Sequence, residues 1–229
     1  MFKLNDLKVR RRSWVQMANI PNARTGWLLE DCTEVDPQAL NDIKGWLKLI
    51  KSNNIIRANG KLTCGKGLMF WGTPGHGKTT LALSVIQTAM SDFLLQDFDV
   101  KEGATLIRPC YFMTFNDVLD LKGATIDGAT EDQEVIHQGI LGECKNDAYN
   151  IRILIIDDIG KEHASLSGWQ KNVLHHVLRT RFNNGLPTII TTNVQKKDWA
   201  GLYGDATESF INEAFTYIPI TSAKGDLRK

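Results

Sequence analysis

Residues Gly72 to Thr79 read Gly-Thr-Pro-Gly-His-Gly-Lys-Thr, which satisfies every fixed position of the pattern G-x-x-x-x-G-K-[ST]. Such a loop needs a particular frame: a buried strand entering it and a helix leaving it. Both are written in the flanks. Leu68-Met69-Phe70-Trp71 is a short apolar run suited to a buried strand, and Thr80 to Ile86 suits a helix with one apolar face. Glycines at 72, 75 and 77 let the backbone wrap an anion, because glycine reaches positive φ without steric cost. Backbone N–H groups of the loop, with the positive end of the helix starting near Lys78, form a phosphate nest. The expected nucleotide-contacting run is Gly72, Thr73, Pro74, Gly75, His76, Gly77, Lys78, Thr79 and Thr80. Lys78 is placed to reach β- and γ-phosphates and the Thr79 hydroxyl to ligate Mg²⁺. His76 contributes backbone only.

The rest of the chain alternates strands and helices. Asp36 can cap a helix that Pro37 opens, with Leu40, Ile43, Leu47 and Ile50 on one face. Lys48, Lys51, Arg57, Lys61 and Lys66 make a polar approach to the first core strand. Cys110 to Met113 reads as a second strand, followed by a helix over Phe115 to Leu121. Residues 122–150 are polar and locally acidic, and read as a short helix between loops. Ile151 to Ile156 is an apolar run of the buried parallel type. A helix is expected over residues 168–182 with Trp169, Val173, Val177 and Leu178 inward, ended by Asn183-Asn184-Gly185 and Pro187. Thr188 to Thr192 is a further strand. This pattern implies an α/β fold with a parallel sheet between helical layers.

In such sheets ligands sit at the carboxyl ends of the strands. Asp157-Asp158, directly after the 151–156 run, therefore stands where a carboxylate can hold Mg²⁺. Asp157 is the expected metal-side group, and Asp158 is placed to polarise an attacking water or simply to cap the strand end. Asn193, ending the 188–192 strand, is positioned either to orient water or γ-phosphate or to do no more than close the strand.

The 229 residues are 42% hydrophobic with net charge +1, enough for one sizeable core and without a global field that would announce nucleic acid or membrane. No apolar stretch approaches a membrane-spanning length. The four cysteines, at 32, 64, 110 and 144, have no metal-binding spacing and read as reduced thiols of a cytosolic protein. His175-His176 lies on one predicted helix, where adjacent positions do not face each other, so metal binding is not expected.

Taken together, Gly72 to Thr80, Ile153 to Glu162 and Trp169 to Asn193 resemble the DnaC/IstB-like branch of the AAA+ ATPases, over a stretch running from Ile20-Pro21 to the C-terminus. The resemblance implies a P-loop AAA+ three-layer fold with a central parallel sheet and a helical lid absent or strongly reduced. It divides the chain into a basic arm, residues 1–19, and an ATPase domain, residues 20–229, with 200–229 a lid remnant. It makes Asp157 the Walker B acid, puts Asp158 where relatives carry a catalytic glutamate, makes Asn193 the sensor 1 residue and likens Arg228 to sensor 2. Residues 20–24 resemble the segment near the adenine, although the aromatic that relatives place after the arginine is Thr25 here. Glu162 matches an acid that bridges to a neighbour's arginine or stays solvated.

One departure concerns the arginine finger: relatives carry Ser-Arg where this chain has Ser209-Phe210. Arg228, the one arginine after Asn193, cannot serve as sensor in cis and finger in trans at one site. Slow or partner-stimulated hydrolysis is expected, with Arg181 a substitute finger or the partner of a nearby carboxylate. The implied function is ATP- and Mg²⁺-dependent loading of a DnaB-type replicative helicase on single-stranded DNA, with self-association in the ATP state, in the cytosol of a bacterium or its phage. An IstB-type transposase helper and a scaffold with little hydrolysis are the alternatives. The local matches to a single-strand surface are Lys8, Arg10, Arg11 and Arg12 with Trp14, and Lys196-Lys197 with Trp199; the commoner reading of each is a solvated charged surface beside a buried aromatic. The segment 114–150, where relatives contact DNA, is acidic in its middle, with Lys122 and Lys145 its only Lys or Arg from 122 on. The residues before Ile20 are too few for a helicase-binding domain, so docking is expected through the arm or the core.

Overall fold

In the computed structural model, which describes residues 4–51, 57–58, 62–63, 65–98, 105–160 and 168–220, the apolar runs lie side by side. The chain order is α1 (Leu4–Met17), α2 (Pro37–Lys51), an antiparallel pair β1 (Arg57–Ala58) and β2 (Leu62–Thr63), β3 (Gly67–Trp71), α3 (Lys78–Asp92), β4 (Cys110–Thr114), α4 (Phe115–Asp127) and α5 (Glu131–Leu141). Then come β5 (Ile153–Ile159), α6 (Gly168–Asn183), β6 (Thr188–Thr192), α7 (Trp199–Tyr203), α8 (Asp205–Ala214) and β7 (Phe215–Pro219). The main sheet has the order β4-β5-β6-β3-β7, and every pairing in it is parallel.

Side chains alternate across a strand, so each strand feeds two cores. Leu68 and Phe70, Ile153 and Ile155, and Ile189 point to a layer built from α1, α2 and α3. Met69, Leu154, Ile156 and Ile190 point to a layer built from α4 to α8. Both faces of the sheet are thereby covered, which is why the strand sequences read as unbroken apolar runs. At the start of α2, Asp36 Oδ1 accepts from the N–H of Gln38 at 2.8 Å and of Ala39 at 3.2 Å, the expected cap.

Several expectations are corrected. The basic segment 1–19 is helical for most of its length, and its later part belongs to the core. Trp14 is 2% exposed and its indole N–H donates to Leu106 O at 2.9 Å, while Ala18 O accepts from Phe112 N. A buried ring cannot act as a stacking platform for bases, and the same holds for Trp199, which is fully buried in the opposite layer. Residues 122–150 hold more helix than expected. Thr114 and Thr130 each begin a helix with a reciprocal capping box, two signals that the polar composition of the segment obscures. Trp169, expected inward, is 43% exposed. Within the segment 200–229, α8 leads into β7, a strand not expected from the sequence, which pairs along its length with β3 and extends the central sheet. Among the described residues no helix is long and apolar enough to cross a membrane.

Candidate functional site

β3 ends at Trp71 and the chain turns at Gly72, whose N–H donates to Thr192 O at 3.3 Å. A side chain at 72 would not fit, because a Cβ there would lie 2.3 Å from Ile220 O. Gly75 and Gly77 adopt φ of +85° and +81°, the left-handed conformation that only glycine takes at little cost. Gly77 then opens α3. Lys78, the first residue of that helix, is 7% exposed. Its ammonium donates to Gly72 O at 2.7 Å, to Thr73 O at 2.9 Å and to Asn193 Oδ1 at 2.6 Å. A buried cation encircled by loop carbonyls and an amide oxygen is the arrangement expected where an anionic phosphate is to be met. The contact also joins the loop to the end of β6, bringing together two residues singled out separately in the sequence.

The acidic pair lies within β5, not after it. Between Ile156 and Ile159 the strand takes three steps while β6 takes two, from Ile190 to Thr192. This bulge holds Asp157 and Asp158, and Asp158 has a φ of +61°. Asp157 is buried, and its carboxylate accepts from the Thr79 hydroxyl at 2.9 and 3.1 Å and from the Thr191 hydroxyl at 2.6 Å. Asp158 turns the other way and lines the cleft beside Asn193. A hydroxyl and a carboxylate in contact at the foot of a phosphate loop form a hard-oxygen donor set that fits Mg²⁺.

A cleft of about 520 Å³ opens outward from the loop. Its inner end is the P-loop with Asp158 and Asn193; its outer wall is the segment 23–35, including Arg24, Trp27 and Cys32. That wall is stitched to α3. The Arg24 guanidinium donates to the Thr80 hydroxyl. The Gln87 amide accepts from Gly26 N at 2.6 Å and donates to Arg24 O at 3.0 Å, and Leu29 N donates to the Thr88 hydroxyl at 3.0 Å. The Cys32 thiol lies 3.4 Å from the Ser84 hydroxyl, and burial pushes its pKa up more than that hydrogen bond lowers it. Arg24 is thus near the cleft as the sequence resemblance implies, and so is an aromatic ring: Trp27, 46% exposed, stands two residues beyond the position where Thr25 made one look absent. Sequence reading missed it because the expected spacing was too strict.

The family model of the ATPase family associated with various cellular activities (AAA) matches residues 68–203, more than half of the chain. The chain belongs to the AAA family of ATPases. Among solved structures, this AAA ATPase is similar to the DnaC helicase loader, with a TM-score of 0.59 and 25% identity over 88% of this chain and 100% of that one. The fold is also shared with DnaI, at a TM-score of 0.57 and 17% identity over 89% of this chain and 95% of that one. The replication initiator DnaA bound to AMPPCP and single-stranded DNA has a TM-score of 0.56 and 16% identity over 88% of this chain and 52% of that one. A search of curated protein sequences gives no match. The five-stranded parallel sheet, its helical layers and the P-loop make the fold that of a DnaC-like AAA+ ATPase, a nucleotide-binding protein.

The arginine-finger expectations for this AAA ATPase change with the structure. Arg181 is fully buried and donates to five acceptors: Thr188 Oγ1 at 2.8 Å, the carbonyl oxygen of Ile140, Ile151 O at 3.2 Å, Arg152 O at 3.2 Å and Pro187 O at 2.9 Å. It can neither reach a neighbouring subunit nor serve as the surface half of an ion pair. Burial pushes its pKa down to about 9, so it stays charged at neutral pH. Phe210 is 2% exposed and packs edge-on against Phe182 with centroids 5.5 Å apart; the guanidinium of Arg179 lies 4.8 Å from its centroid. Arg228 and Glu162 lie outside the described residues, as does Cys64.

Proposed function

We propose that this protein binds and hydrolyses ATP with Mg²⁺ and uses that cycle to place a DnaB-type replicative helicase on single-stranded DNA, assembling with further copies of itself in the ATP state. The observation that carries the reading is the likeness to the DnaC helicase loader, which this chain covers over its whole length. The reading treats residues 20–229 as the ATPase domain and α1 as a basic helix packed on it, with its exposed Lys8 and Arg12 available to a partner.

Placement supports a role for each residue. Lys78 neutralises the β- and γ-phosphates. Thr79 and Asp157 would hold Mg²⁺, which when bound would supply positive charge to offset that of the transferring phosphoryl group. Asn193, already within hydrogen-bond distance of the Lys78 ammonium, orients the γ-phosphate or the attacking water. Water forms the new P–O bond as the bond to the β-phosphate oxygen breaks, giving ADP and phosphate; Asp158 is the side chain placed to accept a proton from that water. Asn193→Ala is expected to slow turnover roughly 100- to 1,000-fold while ATP affinity changes by less than about threefold, as for loss of one polar group at the transferring centre. Trp27 supplies a ring against the base. Trp27→Ala is expected to weaken ATP binding roughly tenfold, within the range of base–aromatic stacking, with Trp27→Phe restoring most of it. Titration of a fluorescent ATP analogue checks this, and equal affinities would place the base elsewhere.

A second reading, a nucleotide-dependent scaffold with little turnover, is favoured by the burial of Phe210 where relatives carry the finger. Turnover of the isolated protein separates the two. Slow hydrolysis that rises at least tenfold when helicase and single-stranded DNA are added supports the loader; unstimulated turnover supports the scaffold. Lys78→Ala is the blank.

A further inference from the structure

The bulge in β5 is a conformation that needs support. An aspartate at positive φ is tolerated only against a steric penalty, and the bulge interrupts the ladder to β6 where both acids stand. β6 supplies the missing contacts from side chains. Thr191, fully buried, donates its hydroxyl proton to Asp157 Oδ1 at 2.6 Å and accepts from the backbone N–H of Asp158 at 3.0 Å. Its neighbour Thr192 points to the other face and reaches β5 one step on through a single bond, its other partner lying in its own segment. It donates to Ile159 O at 2.7 Å and accepts from Val194 N at 3.0 Å. The two hydroxyls bracket the bulge.

We infer that Thr191 is a positioning residue of the ATPase site: it fixes the Asp157 carboxylate for Mg²⁺ and holds the Asp158 backbone in the conformation that turns its side chain into the cleft. This rests on the ATPase reading above. One hydroxyl serves both acids, donating a hydrogen bond to the carboxylate of one and accepting one from the backbone N–H of the other, and no apolar residue of the same shape can do either. Because Asp157 Oδ1 also lies 2.9 Å from the Thr79 hydroxyl, the carboxylate is oriented from both sides of the cleft floor. Loss of the Thr191 hydroxyl leaves the carboxylate freer to rotate, and second-sphere groups of this kind are worth roughly 10- to 100-fold in metal affinity.

The test compares the wild type with Thr191→Val, which keeps the shape, and Thr191→Ser, which keeps the hydroxyl. ATP-analogue affinity is measured in EDTA and across a Mg²⁺ titration, alongside kcat and the melting temperature. The valine protein is expected to need about tenfold more Mg²⁺ for half-saturation and to lose kcat, with affinity in EDTA unchanged, while the serine protein recovers both. An unchanged Mg²⁺ requirement would overturn the assignment. Equal losses with and without Mg²⁺, or a melting temperature lowered in step with activity, would also overturn it by showing that Thr191 serves only the fold. Failure of the wild type to bind nucleotide at all would remove the ATPase reading itself.

Discussion

Replacing Arg181 by alanine is expected to destabilise the protein by roughly 3–5 kcal/mol, the range in which burying several unsatisfied groups places a substitution. The guanidinium is fully buried and gathers carbonyls from the end of α5, the approach to β5 and the turn before β6, together with the Thr188 hydroxyl. Truncation leaves those acceptors without donors and opens a cavity among them. For a chain of this size the change corresponds to a fall in melting temperature on the order of 10 °C. Arg181→Lys is expected to recover less than half of the loss, because an ammonium cannot span acceptors that a planar fork reaches from three nitrogens. Thermal unfolding followed by circular dichroism reads both variants. A loss below about 1 kcal/mol for the alanine protein would mean the carbonyls find water and the staple is dispensable.

Lys78→Ala is the second large effect, and it falls on binding instead of folding. The ammonium is buried and held by Gly72 O, Thr73 O and Asn193 Oδ1, so its charge is already in place for a phosphate. Charge-assisted contacts of this type are worth roughly 1.5–3 kcal/mol each, and ATP affinity is expected to fall by about 100-fold or more. The melting temperature without nucleotide should change far less than for Arg181→Ala. Wild-type protein should gain melting temperature as ATP is added, and the variant should not. An alanine protein that still binds ATP within a few-fold of the wild type would remove Lys78 from the phosphate site.

These two residues also show what the sequence makes legible. Lys78 sits in a local pattern whose physics is fully contained in eight consecutive residues, and the strand and helix that frame it are equally local. The layered parallel fold follows from the same kind of signal, the unbroken apolar runs of β3, β5 and β6. Arg181 is different. Its role depends on carbonyls contributed by segments up to 41 residues away in the chain, none of which carries a side-chain signature. An arginine near a helix end therefore reads as a surface charge. The bulge at Asp157-Asp158 is illegible for a related reason: a one-residue slip in register is fixed by β6, through Thr191 and Thr192, whose hydroxyls in a buried strand were the available clue. Trp14 and Trp199 left two readings open, a stacking platform or a buried ring beside solvated charges, and the structure selects the buried ring. Beside runs of lysine and arginine they resemble an exposed stacking surface, but burial is set by how α1 and α7 pack, which local composition does not encode. β7 was hidden because its five residues follow two short helices and pair with a strand almost 150 positions earlier.

The central claim is that nucleotide binding governs assembly with a replicative helicase. Tagged protein purified from its own cells with a non-hydrolysable ATP analogue, with Lys78→Ala treated in parallel, tests it most directly through the proteins retained. The account predicts a DnaB-type helicase held by the wild type with nucleotide and absent from the variant. Retention of a transposase, or of duplex DNA with no helicase, would contradict it.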